Sequence, residues 1–150
     1  MFGTVRIGNK KLTLISIGCF LLFLAVCAVM LRAAVPDTVM IGGESYPLTV
    51  EDDSGVIDFL TACGCTAADC TREDVTVPKH WNDTYTAYND LQLRQGLDLT
   101  PYKGKAAVQL TYTLKDSHDV AVLLVADKRI IAAHRTAMRQ GETPRRLIRP

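Results

Sequence analysis

The stretch from Ala106 to Ala133, AAVQLTYTLKDSHDVAVLLVADKRIIAA, decides how this chain folds. At its start Val108, Leu110, Tyr112 and Leu114 alternate with Gln109, Thr111 and Thr113. That period of two places apolar side chains on one face of a strand. Lys115 to Asp119 is polar and reads as a turn, and Val120 to Ala126 is almost wholly apolar, as in a strand covered on both faces. Asp127-Lys128 then reads as a tight turn into Arg129 to Ala133. Short connections of this kind predict a mainly antiparallel sheet. Beyond His134 the pattern weakens, and an edge strand and a loose tail both fit.

Upstream the period changes to that of a helix. Trp81, Tyr85, Tyr88 and Leu91 recur along one face of a segment from about Lys79 to Gln95, and Gly96 supplies a left-handed terminator. Val75-Thr76-Val77 reads as a short strand stopped by Pro78. Asp53 or Ser54 can cap an earlier helix whose apolar positions are Val56, Ile57, Leu60 and Cys63, with Gly64 at its end. Thr38 to Val50 carries a Gly42-Gly43 turn between two β-prone runs, a small hairpin or a tether.

The N-terminus differs in kind. Leu12 to Leu31, LTLISIGCFLLFLAVCAVML, runs for twenty positions without a charge, Pro, Asn or Gln. At 1.5 Å per residue it matches a hydrocarbon core of about 30 Å. Arg6, Lys10 and Lys11 precede it and only Arg32 follows closely, which predicts a cytoplasmic N-terminus and an outer remainder at the cell membrane. A cleavable signal peptide is the competing reading, kept open by Ala25-Val26-Cys27-Ala28. Cys19 and Cys27 do not suit a lipoprotein signal and read as apolar membrane residues.

The expected fold class is therefore α+β. One N-terminal transmembrane helix precedes a small two-layer domain, with two helices packed on one face of a mainly antiparallel sheet. Residues 1–11 form a cytoplasmic tail, 12–31 the membrane helix, 32–52 a linker or small hairpin, 53–134 the extracytoplasmic domain and 135–150 a basic C-terminal segment.

With 150 residues, 17 basic against 16 acidic, the chain has room for one domain and shows no electrostatic commitment to nucleic acid. Charge is nonetheless divided: residues 37–98 carry 12 acids and 3 bases, residues 99–150 carry 4 acids and 10 bases. Either the two halves lie side by side and neutralise each other, or the basic tail (Lys128, Arg129, Arg135, Arg139, Arg145, Arg146, Arg149) meets anionic lipid or wall polymer.

Val75 to Lys105, VTVPKHWNDTYTAYNDLQLRQGLDLTPYKGK, resembles the signature of a bacterial, mostly Gram-positive family known as domain of unknown function 4830. The matching positions are Val77-Pro78, Trp81, Tyr85, Tyr88-Asn89, Gln92, Gly96, Asp98-Leu99, Tyr102 and Gly104-Lys105, with Phe59-Leu60 and Gly64 upstream. The likeness spans roughly residues 54–133. Cys65 departs from an aromatic preference, and Ala132-Ala133-His134 stands where the family tends toward Gly-Gly-Asp. The resemblance implies a membrane-tethered outer domain and no activity.

Trp81, Tyr85, Tyr88, Asn89, Gln92, Asp98 and Tyr102 form the densest aromatic and amide set, a candidate surface for a ligand or partner. The plainer reading packs Trp81, Tyr85 and Tyr88 on the sheet while Asn89 and Gln92 brace the loop from Gly96 to Gly104. The alternative is a groove beside the second helix that takes a peptide or glycan. Cys63, Cys65 and Cys70, with His80 downstream, suggest a disulfide, free thiols or, more weakly, a zinc site, since the usual C-x2-C spacing is missing. Ser117-His118-Asp119 is a turn, because adjacent residues cannot make a catalytic triad. His134 has no evident partner. No catalytic motif is present and no cofactor is implied. The expected function is non-catalytic binding or sensing of an envelope component or partner protein, with a thiol-based redox or metal-binding protein as the alternative.

Overall fold

The computed structural model of the protein describes residues 17–27, 36–115, 117–138 and 142–148, in two units taken separately. In the first, residues 17–27 form a helix, α1, whose apolar side chains, Phe20 and Leu22 among them, are exposed. The rest of the expected span 12–31, and the tail 1–11, lie outside the described residues. Among the described residues no helix is long and apolar enough to cross a membrane.

The second unit is an α+β domain. It opens on a hairpin, β1 (Thr38–Ile41) and β2 (Glu44–Pro47), turned by Gly42 and Gly43 at φ +58° and +89°. Both angles lie in the left-handed region that favours glycine. Val39, Ile41, Leu48 and Val50 belong to the main hydrophobic core, so the domain takes in residues upstream of Asp53 and the hairpin is one of its structural parts. Helix α2 (Asp53–Ala62) is capped by Asp52, one residue before the expected pair, its carboxylate accepting from Ser54 and Gly55 N–H. The Ser54 hydroxyl, then the Gly55 N–H, hold the Asp52 carboxyl below its usual range.

Strand β3 (Ala67–Thr76) runs ten residues where the sequence suggests only Val75 to Val77. It pairs with β4 (Ala106–Leu114) alone and is exposed along most of its length, so no buried face imposes alternation. Asp69, Arg72, Glu73 and Asp74 make this edge unattractive to another strand. Helix α3 (Asp83–Leu93) is shorter than the 79–95 expected. Asn82 takes the N-cap, its Oδ1 accepting from Tyr85 N–H at 2.9 Å, which leaves Trp81 outside the helix and off its face. A 3-10 turn at Thr100–Tyr102 leads into β4, followed by β5 (Asp119–Ala126), β6 (Arg129–Ala137) and β7 (Arg145–Arg146). Among the described residues these strands make an antiparallel sheet in the order β3-β4-β5-β6-β7. The chain beyond His134 thus continues β6 and returns as a two-residue edge strand.

Paired residues share a face. Leu110 opposes Leu123 and Tyr112 opposes Ala121, and these pack with Val56, Phe59 and Leu60 of α2 and with the hairpin. Gln109 opposes Leu124, and Val122 opposes His134, on the other face. The expectation of two helices on one face is therefore corrected. Among the described residues α2 is the one helix on the first face; α3 lies along the β6 edge and sets Tyr88 against the second, beside Leu124 and His134.

That edge explains the position of α3. The outer side of β6 has backbone groups that must be paired. Leu48 O accepts from Ile130 N–H and Lys128 O from Val50 N–H, covering its start. β7 covers its end. Between them, Gln92 Oε1 accepts from Ala133 N–H at 2.9 Å and Gln95 Nε2 donates to Ala133 O at 2.6 Å. Two buried side-chain amides stand in for a missing strand.

Candidate functional site

The expected surface set separates into three structural roles and one site. Asn89 braces the following loop: its Oδ1 accepts from Leu99 N–H at 2.9 Å and its Nδ2 reaches Asp98 and Thr100. Asp98 also accepts from Thr100 N–H, and Tyr102 is buried in a second apolar cluster with Val77, Leu99 and Ile131. Gln92 belongs to the β6 edge, not to the Gly96–Gly104 loop, because Asn89 already fills that role. Trp81 is half-buried, its Nε1 donating to Pro78 O at 3.0 Å, with Lys103 Nζ 3.8 Å from its ring centre.

Tyr85 and Tyr88 remain, and they line a groove of about 620 Å³ between α3 and the second face of the sheet. The helix contributes Thr84, Tyr85, Ala87, Tyr88, Asp90, Leu91 and Arg94; the sheet contributes Gln109, Leu124 and His134; Thr143 and Pro144 close one side. Helical spacing of Tyr85, Tyr88 and Leu91 builds an apolar wall toward the second face of the sheet, where Tyr88 packs beside Leu124 and His134. The volume falls within the range of small-ligand sites.

His134 acquires a partner only in three dimensions. Tyr88 Oη lies 2.9 Å from His134 Nδ1 and the rings meet edge to face at 5.3 Å. Burial pushes the imidazole down to about 4 and, with Tyr85 nearby, pushes the Tyr88 phenol up. Both groups are neutral near pH 7, and the direction of the Oη–Nδ1 hydrogen bond follows the imidazole tautomer. The pair presents the groove with neutral polar groups near pH 7, neither a phenolate nor an imidazolium. Asp90 and Arg94 stand one turn apart on the rim without an ion pair among the described residues.

Burial, then the neighbouring Cys65, pushes the Cys63 thiol up to about 12, which removes its nucleophilic form. Cys65 Sγ donates to Cys63 O, and exposed Cys70 donates to Thr71 O. Among the described residues no group of three His, Cys, Asp or Glu side chains is arranged to hold a metal ion. Ser117 Oγ accepts from Arg135, and Asp119 pairs with Arg135 and Arg145, so that cluster is a structural clasp.

The sequence reading missed Arg94, Gln109 and Leu124. Gln109 and Leu124 carry a faint signal, since they fall on the non-core phase of two adjacent strands; nothing in the sequence shows which helix faces them. The fold and groove define a small α+β domain with an antiparallel sheet flanked by helices. Comparison of the chain with family models, curated proteins and solved structures gave no match.

Proposed function

We propose that this protein is a membrane-tethered extracytoplasmic domain that binds an envelope component or partner protein, without chemistry, in the groove beside α3. The observation that carries the reading is the groove itself. Its wall is Tyr85, Tyr88 and Leu91, and its floor holds Leu124 with the neutral imidazole of His134. The tether rests on the twenty-residue uncharged run of 12–31 and on the basic residues before it. The likeness of Val75–Lys105 to the domain of unknown function 4830 family fits the same reading. Against a thiol-based role stands the Cys63 thiol, which burial holds in its protonated form.

A photo-crosslinking residue placed at Tyr85 of the full chain in intact cells tests the groove. A discrete crosslinked product is expected from that position and is weakened severalfold by Leu124→Arg. The same probe at Leu93, which is 51% exposed on α3 but outside the groove, gives none. Equal products from both positions, or none from Tyr85, would refute the groove as the binding site.

A further inference from the structure

We infer that a lysine cluster around Trp81 docks the domain on an anionic phospholipid surface, an inference that rests on the membrane tether proposed above. The sequence places its basic excess in the C-terminal half, but much of that charge is spent within the fold. Lys128 pairs with Glu51 at 2.9 Å, Arg129 with Asp37 at 2.7 Å, and Arg135 and Arg145 share Asp119. Unpaired cations collect elsewhere. Gly104 N–H donates to Val77 O at 2.7 Å and Val77 N–H to Lys105 O at 2.9 Å, which clamps two loops together. Lys79 on one loop then meets Gly104 on the other, and Trp81 meets Lys103.

Local packing fixes the cluster. Lys103 Nζ sits over the indole at 3.8 Å. The Lys79 stem crosses Gly104 so closely that an added Cβ would lie 2.7 Å from Lys79 Cγ. Lys105 Nζ lies 5.0 Å from the Tyr102 ring and 4.0 Å from the exposed carboxylate of Asp127. All three lysines are exposed, and Lys79 and Lys103 have no carboxylate partner among the described residues. A half-buried indole with the Lys103 ammonium over its ring and the Lys79 stem on the adjoining loop matches a headgroup boundary, where the stems and ring meet apolar matter and the charges meet phosphate. A tether in the same bilayer makes the contact intramolecular, so a weak patch suffices. Lys79 and Lys103 each raise the ratio of docked to undocked domain about fivefold at an anionic surface.

Trp81 is the chain's single tryptophan and reports on the contact directly. The full chain is reconstituted in nanodiscs of phosphatidylcholine with or without phosphatidylglycerol, each containing a lipid spin-labelled at the headgroup. Trp81 emission is expected to be quenched in the phosphatidylglycerol discs only. Lys79→Gln should lower the docked ratio about fivefold and the Lys79→Gln, Lys103→Gln pair about 25-fold, with unchanged circular dichroism. Equal quenching in both discs, or none in either while the chain stays with the discs, overturns the docking. A shift in Trp81 emission with soluble polyphosphate, without quenching in the discs, assigns the patch to a soluble polyanion and overturns the bilayer as its occupant. A chain that does not co-purify with the discs refutes the tether, a separate readout, and the docking with it.

Discussion

Gln95 illustrates how one side chain can join three parts of a fold. Its Nε2 donates to Ala133 O and Gln92 Oε1, and its Oε1 accepts from Leu147 and Ile148 N–H. All of this is buried, so Gln95→Leu strands several backbone groups at once. It should lower stability by about 3 kcal/mol or more in urea denaturation. Gln92→Leu should cost less, because Gln92 Nε2 is already buried without a partner and its removal offsets the loss at Ala133 N–H. Equal losses for the two variants would contradict this account of the edge. His134 makes a prediction of pH dependence. Its folded pKa is depressed from 6.5 to about 4, so the fold favours the neutral ring. Stability is fully present above pH 6.5 and declines as pH falls from there toward 4. In His134→Leu, the slope of unfolding free energy against pH across that window should flatten; an unchanged slope would show that His134 does not set it.

At the level of elements, the caps and turns carry the testable energetics. Asn82→Ala removes the acceptor for Tyr85 N–H and should destabilise the domain by about 1 kcal/mol, read from the chemical denaturation midpoint. The β5–β6 turn holds Asp127 and Lys128 at φ +49° and +58°, where Asp is tolerated and Lys is strained. Lys128→Gly creates the Asp-Gly pair that such two-residue turns prefer and should raise the thermal midpoint, despite losing the exposed contact to Glu51. Much of this level could be read from residue order. Alternation marks β4, the Asp127-Lys128 turn marks the join of β5 and β6, and Gly42-Gly43 marks the hairpin. The exceptions share a cause. β3 is an exposed edge strand, so no burial pattern was written into it. The start of α3 is set by Asn82, whose cap outweighs the apparent helical phase of Trp81.

Across the molecule, folding joins the two halves of the divided charge at two ion pairs among the described residues. Lys128 and Arg129 from the basic half reach Glu51 and Asp37 in the acidic half, the side-by-side arrangement of the two halves. Arg135 and Arg145 instead converge on Asp119, 17% exposed, in their own half. That clasp holds the short strand β7 to β6. Asp119→Ala should therefore cost about 2 kcal/mol and speed tryptic cleavage after Arg145 before global unfolding. Cleavage no faster than in the parent chain would show that β7 is held by Leu147 and Ile148 alone.

Residue order alone carried the α+β class, the antiparallel strands around Leu110 and Leu123 and the long uncharged run near the N-terminus. Each is a short-range pattern, in which period and turn chemistry act between near neighbours. The groove, the Tyr88–His134 pair and the amide seal on β6 arose only when the sheet closed. They join positions 46, 41 and 38 residues apart, and which helix lies against which sheet face follows from satisfying an exposed strand edge, a demand that exists only once the strands have paired.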